Sequence, residues 1–445
     1  MHVTQVLAVL KAADLIRRSD ESGSEYLFKH VLTQDAAYQS LLRQDRRELH
    51  RRIARSCENL FGDSSDEYLA LLAHHYTAAG DNANAVKYWM RYGERTLQIS
   101  AFPEAIHAFE HALAVLPQEP NAERARVYAR LGDLYCRRAD YGVAQENFQN
   151  ALSMAIATAD ARTAATALSG IARIASQCGE HGRARELGQE ALRWAQDAAD
   201  DEAVARAQRQ LGIAYNYAGK NELAAEHLRA SLALYEKLGD RDGIASCLNS
   251  LGVVARDEHQ YDLAQQYFER ALALSRALGD RYSIGIRLIN LGVLAEQRGD
   301  TASAARYQHE ALQIAQEIGD REGVALIRSN LGSLALARGD VEAAQQEFRA
   351  ALEASLSLGV LGLALYVLAA MAKLELARGN FERSAELLGL ALQHPASTAD
   401  IALDFQSVQV ELETKLGKAE LDAAMQRGKD AEVRATVARI VNADE

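Results

Sequence analysis

Residues 251–292 read LGVVARDEHQYDLAQQYFERALALSRALGDRYSIGIRLINLG. Leu251-Gly252 opens the stretch and Leu291-Gly292 closes it forty residues on, with Ala264, Phe268 and Ala271-Leu272 between them. The same marks recur in phase on both sides. Leu-Gly also stands at Leu131-Gly132, Leu211-Gly212 and Leu331-Gly332, and Ala-Leu at Ala151-Leu152, Ala191-Leu192, Ala311-Leu312, Ala351-Leu352 and Ala391-Leu392. Two markers sharing one period define a stack of supersecondary units. The punctuation says what each unit is. Gly239-Asp240, Gly279-Asp280 and Gly319-Asp320 separate units, while Gly299-Asp300 and Gly339-Asp340 divide them, with Gly219-Lys220 and Gly379-Asn380 as variants. Glycine takes the left-handed conformation that ends one helix, and Asp accepts a backbone N–H at the start of the next. Two helices and two tight turns per unit are predicted. Small residues such as Gly292 and Ala304, or Gly332 and Ala344, let the backbones approach beside Phe268 or Phe348.

Composition agrees with an all-α chain. Only 4 of 445 residues are proline, against an average of roughly 5%, and 49% are hydrophobic. Disorder is excluded, and so is a β-sandwich or barrel. No run approaches 18 apolar residues and the N-terminus has no signal pattern, so a cytoplasmic protein that does not enter the membrane is expected. Cys57, Cys136, Cys178 and Cys247 lack CxxC spacing, which leaves no zinc knot or disulfide framework. The net charge of −12 disfavours a general nucleic-acid binder.

The pattern resembles the tetratricopeptide repeat. After Leu-Gly come an Ala thirteen residues beyond the Leu (Ala144, Ala224, Ala264, Ala304, Ala344), a bulky residue four later (Phe148, Leu228, Phe268, Phe348), and a further Ala three on. The usual unit has 34 residues, and six more lengthen the helices by about 9 Å, as in repeats of the LGN and kinesin-light-chain type. Tyr92-Gly93, Ala105, Phe109, Ala112 and Pro117 fit one unit of ordinary length, and Leu72, Tyr76, Ala85 and Trp89 an earlier one. About eight units over 66–393 are expected, forming a right-handed superhelical solenoid with first helices on the concave side.

The ends differ from the middle. Residues 1–62 read as a helix from Val3 to Ile16, a polar turn (17–24) between short strands, and a long helix through Tyr38, Leu49 and Leu60, the order of a small winged-helix-like segment. The string FKHVLTQDAAYQSLLRQDRRELHRRIA (28–54) and the following AHHYTAAGDNANAVKYWMRYGERT (73–96) closely resemble the region after the ATPase module of bacterial STAND-type signalling ATPases. Residues 394–445 resemble their closing helical cap. No GxxxxGK[ST] phosphate loop is present in the sequence, so the resemblance implies the sensory arm of such an ATPase, encoded separately or left after truncation, with an ATPase module as partner. It also implies that His30 contacts nucleotide in trans.

His74-His75 and the pair His107 and His111 have no third ligand at a recognisable spacing, and no nucleophile, base and orienting group stand together. A non-enzymatic chain without cofactor or metal is expected. Function then falls to the groove. Taking the Leu of Leu-Gly as position 7, inward positions 2, 5, 6, 9, 12 and 13 give Arg126, Arg130, Arg137, Arg173, Arg206, Arg209 and Arg256 with Gln210 in early units. Later units give Asn249, Asn290 and Asn330 beside Ile286, Ile289, Val293, Leu326 and Tyr366. Asn290 and Asn330 match the asparagine with which peptide-binding tetratricopeptide domains hold a ligand backbone. The expected ligand is an extended, partly acidic peptide or partner segment, its acids on Arg126, Arg130, Arg173, Arg206 and Arg209 and its backbone on Asn249, Asn290 and Asn330. The competing readings are the regulatory part of an ATPase or nucleotide cyclase, and a DNA-binding regulator using Arg43, Arg46, Arg47, Arg51, Arg52 and Arg55 on phosphates.

Overall fold

The computed structural model describes residues 3–18, 26–61, 67–358, 361–394, 397 and 399–441. They form two compact units, one of residues 1–92 and 110–116 and one of residues 93–109 and 117–445.

The first unit begins with α1 (Val3–Ala12), β1 (Ile16–Arg18) and β2 (Tyr26–Phe28), continues through α2 (Val31–Ser40), α3 (Arg43–Phe61) and α4 (Leu69–Ala79), and includes part of α5 (Asn82–Gln98) and of α6 (Phe102–Val115). The strands pair antiparallel, with Ile16 opposite Phe28 and Arg18 opposite Tyr26. Two details depart from expectation. The first helix stops at Ala12 because Asp14 turns the chain at φ 61°, and Ile16 passes into the strand, where it is buried. The long helix is two helices: the Ser40 hydroxyl and the Leu41 N–H fold back onto the carbonyls of Ala37 and Tyr38, and Leu41 becomes extended (ψ 140°). Residues 19–24 of the polar turn lie outside the described residues.

The second unit is built of helix pairs: α7 (Ala122–Arg137) with α8 (Tyr141–Ala157), α9 (Ala161–Gln177) with α10 (His181–Asp197), α11 (Asp201–Tyr217) with α12 (Asn221–Leu238), α13 (Arg241–Asp257) with α14 (Tyr261–Leu278), α15 (Arg281–Gln297) with α16 (Thr301–Ile318), α17 (Arg321–Ala337) with α18 (Val341–Leu358), and α19 (Leu361–Ala377) with α20 (Phe381–Gln393). Four helices follow, α21 (Ala399–Asp404), α22 (Gln406–Leu416), α23 (Lys418–Lys429) and α24 (Val433–Val441). First helices of successive pairs touch one another along the whole row from α7 to α19, which puts them on the inside.

The turns work as the Gly-Asp pairs predict. Gly239, Gly279 and Gly319 sit at φ 69–71°, and Asp240, Asp280 and Asp320 accept the backbone N–H groups of Gly243, Ser283 and Gly323. Ala139, Ala159, Ala199 and His259 adopt the same left-handed conformation without glycine, at φ 50–59°.

Leu-Gly has an equally direct role. A Cβ on Gly252 would lie 2.5 Å from the Phe268 ring, and on Gly332 2.7 Å from Phe348. Each ring is fully buried between its own two helices, a burial worth about 2–3 kcal/mol per side chain. The C-terminal helices close the core with Leu421, Met425, Val433 and Val437. There α20 and α23 cross at two glycines: a Cβ on Gly389 would meet the Met425 carbonyl at 2.3 Å, and one on Gly428 the Glu386 carbonyl at 1.9 Å. Among the described residues no helix is long and apolar enough to cross a membrane.

Candidate functional site: the interior of the helix row

The first helices of the second unit curl around a cavity of about 790 Å³. The row curls far enough to touch itself. The Tyr141 hydroxyl donates to Glu322 at 3.2 Å, Arg137 lies 3.9 Å from Asp280, and the Tyr282 ring meets Phe102 edge to face beneath the Arg137 guanidinium. Burial pushes the Glu322 carboxyl up to about 7, against the hydrogen bond from Tyr141 and helped by Asp320.

The expected residues are placed unequally. Arg130, Arg173, Arg206, Arg209, Asn249, Asn290 and Asn330 all line the cavity. Arg126 does not: its guanidinium folds back onto its own helix, Nε donating to the Ala122 carbonyl at 3.3 Å. Arg173 and Arg206 are already taken, since both reach Asp133, at 2.7 and 3.9 Å. Burial alone would raise the Asp133 carboxyl, but Arg173, Arg206 and Arg130 hold it below the usual range. Asp133 and Arg173 occupy the same register position one unit apart. Arg130 faces Glu94 at 3.6 Å, and Arg256 pairs with Asp257. Carboxylates of Asp240, Asp242 and Asp404 line the same wall, so the basic interior expected from the early units is close to charge-balanced. Arg209 keeps its charge open, with no carboxylate at ion-pair distance among the described residues.

The asparagines form a ladder. Asn290 Nδ2 donates to Asn249 Oδ1 at 2.9 Å, and Asn330, 5% exposed, has no acceptor for its Nδ2 among the described residues. Gln210, 3% exposed, has neither amide atom partnered among the described residues. Ile286, Ile289, Val293, Leu326 and Tyr366 supply apolar wall beside them.

The model of the tetratricopeptide repeat matches residues 163–237, 217–277, 243–317 and 286–357. Residues 163–357 are tetratricopeptide repeats. A Rap protein solved with competence and sporulation factor superposes on 83% of this chain and 99% of its own with a TM-score of 0.54 at 13% identity. The STAND protein of Pyrococcus horikoshii with a tetratricopeptide repeat sensor covers 95% of this chain and 68% of its own, at TM-score 0.50 and 16% identity. The Rap conjugation gene regulator of plasmid pLS20, solved with the Phr* peptide, covers 63% and 76%, at 0.53 and 16%. At these identities the likeness is one of fold. An uncharacterized protein of Rhizobium meliloti (strain 1021) is 32% identical over 100 residues, 22% of this chain and 10% of that protein; the chain thus spans about a tenth of the curated relative it matches.

The remaining candidates lie outside the tetratricopeptide interior. His30 is the exposed residue before α2, extended at φ −132° with no side-chain cap bond. His75 meets His50 at 2.7 Å, and His50 meets the Tyr38 hydroxyl at 2.9 Å. His111 stacks on Trp89. Among the described residues no three His, Cys, Asp or Glu side chains are placed to hold a metal. Of the basic stripe on α3, Arg51 and Arg52 both pair with Glu48, and Arg46 bonds Gln39.

Sequence reasoning missed Arg287, which is 4% exposed and lines the cavity. The signal was present in the register. The positions four before each Leu-Gly Leu, or before the residue in its slot, are Val127, Ala167, Ala207, Cys247, Arg287, Ile327 and Val367. The other six are 0% exposed, and Arg287 alone among them is charged.

Proposed function

We propose that this chain is a non-enzymatic, cytoplasmic interaction and signal-sensing module that holds an extended peptide or partner segment inside the helix row. The observation that carries this reading is the row of Asn249, Asn290 and Asn330 along the cavity, in which Asn290 bonds Asn249 and the buried Asn330 Nδ2 has no partner among the described residues. An amide both donates and accepts, so a row of them reads a ligand's backbone without demanding its sequence. The apolar wall of Ile286, Ile289 and Leu326 then takes alternate side chains. The peptide complex of the pLS20 Rap regulator lends support at the level of fold.

The test is placement. A photoreactive amino acid at Leu326 of the full chain should crosslink a peptide selected from a random library, whereas the same group at exposed Gln313 on α16 should not. Crosslinking that favours Gln313 would remove the interior as the site.

A second reading has its own support: the fold of the P. horikoshii STAND protein extends over 95% of this chain. In that reading the chain is the sensor of an ATPase module, and residues around His30 meet the module's nucleotide. The isolated chain should then bind no ATP, yet an added module should gain a response to the peptide.

A further inference from the structure

We infer that Arg287, with Arg209, forms a subsite for a carboxylate of the segment bound in the interior; this rests on the reading of the interior as a peptide site. Arg287 stands where the six equivalent first helices carry small or apolar residues, and it too is buried. A guanidinium withdrawn from water demands an anion. Among the described residues no carboxylate comes within ion-pair distance of Arg287, and its Nε has no partner. Among the described residues its one side-chain bond runs from Nη2 to the Ser246 hydroxyl at 3.5 Å, long for a hydrogen bond. Burial pushes the Arg287 guanidinium down to about 10, Asp242 and Asp280 pull it back up, and Arg209 and Arg137 push it further down.

The candidate counter-charges are committed elsewhere or stand off. Asp280 accepts the Ser283 N–H and faces Arg137, and Asp242 is exposed. Among the described residues Arg209 adds a second guanidinium without an ion pair in the cavity lining, and the buried Gln210 next to it in sequence offers an N–H₂ donor without a partner. A planar carboxylate accepts two parallel N–H bonds from a guanidinium. It would satisfy Arg287 and relieve the repulsion with Arg209 together. The carboxylate can come from an Asp or Glu side chain or from a peptide C-terminus.

The experiment selects 12-residue peptides from one phage-displayed random library on the full-length protein and on Arg287→Ile, the residue found at the next equivalent position, Ile327. Enriched peptides are then synthesised with Glu→Gln and with amidated C-termini, and measured by fluorescence anisotropy. On the wild type, enrichment of acidic side chains or of free C-termini is expected, with about tenfold weaker binding once that carboxylate is neutralised. On R287I that preference should vanish while the melting temperature holds or rises, because an unpaired buried charge has been replaced by an apolar side chain. A guanidinium that serves only the fold would give the opposite, a lower melting temperature with unchanged peptide preference. Peptides enriched without acidic bias would overturn the subsite and leave the peptide site standing. No enrichment on either protein would overturn both.

Discussion

The Tyr141 hydroxyl donates to the Glu322 carboxylate at 3.2 Å across 181 residues of sequence. It ties the start of α8 to the first turn of α17, more than four units further along, beside the approach of Arg137 at the end of α7 to Asp280 at the start of α15. A half-buried carboxyl in that position prefers its proton. Its ordinary value is 4.5 and its folded value about 7. Below pH 4.5 both folded and unfolded chains hold the proton; between 4.5 and 7 only the folded chain does, so stability falls as pH rises and the loss is complete above 7. The shift corresponds to up to about 3 kcal/mol. Denaturation midpoints should therefore decline from pH 5 to pH 8, and Glu322→Gln should flatten the decline and leave the protein more stable than wild type at pH 8.

Asp133 should prove structural. It joins Arg173 and Arg206 from the two following pairs, and removing one partner of a half-buried ionic cluster leaves its charges undercompensated. Asp133→Ala is expected to cost about 1–3 kcal/mol in urea unfolding. Arg209→Ala, by contrast, should leave stability within about 0.5 kcal/mol, as for a substitution that breaks no buried feature, and weaken peptide binding.

The glycines separate into two classes. A Cβ at Gly428 would collide with the Glu386 backbone, which cannot give as a side chain does, so Gly428→Ala should destabilise the C-terminal helices by at least about 1–3 kcal/mol. Gly142, on α8, has nothing within 4 Å of the same point. Gly142→Ala should stabilise by up to about 1 kcal/mol, read by thermal melting.

Ala139, Ala159 and Ala199 hold positive φ where other units use glycine. An L-residue pays about 1–2 kcal/mol in that region, partly offset by the extra unfolded-state freedom of glycine. Each Ala→Gly change at these turns should raise stability by about 0.5–1 kcal/mol, against the usual direction of such a substitution. Lower melting temperatures in all three variants would show that the turn carries no strain.

Much of this was legible in the residues. The forty-residue period marks both helices of each pair, Gly252 and Phe268 declare the close packing between them, and Gly279-Asp280 marks the turn, because each is a contact within one or two units. The meeting of Tyr141 with Glu322 was not legible, since it depends on curvature accumulated over several pairs. The pairing of Asp133 with Arg173 lay in the register, since the two stand at one position of neighbouring units and arginines on first helices can pair with carboxylates of neighbouring ones. The break at Leu41 was hidden because apolar spacing runs on through it; only the local bonds of Ser40 and Leu41 end α2.

The most direct test of the interior as a peptide site is the affinity of a library-selected 12-residue peptide for the full chain and for the Asn290→Ala/Asn330→Ala double variant, with helicity checked in parallel. Loss of the backbone ladder predicts binding weakened at least about tenfold with the melting temperature little changed, each amide bond to a ligand being worth about 1 kcal/mol. Equal affinity for both proteins would contradict it.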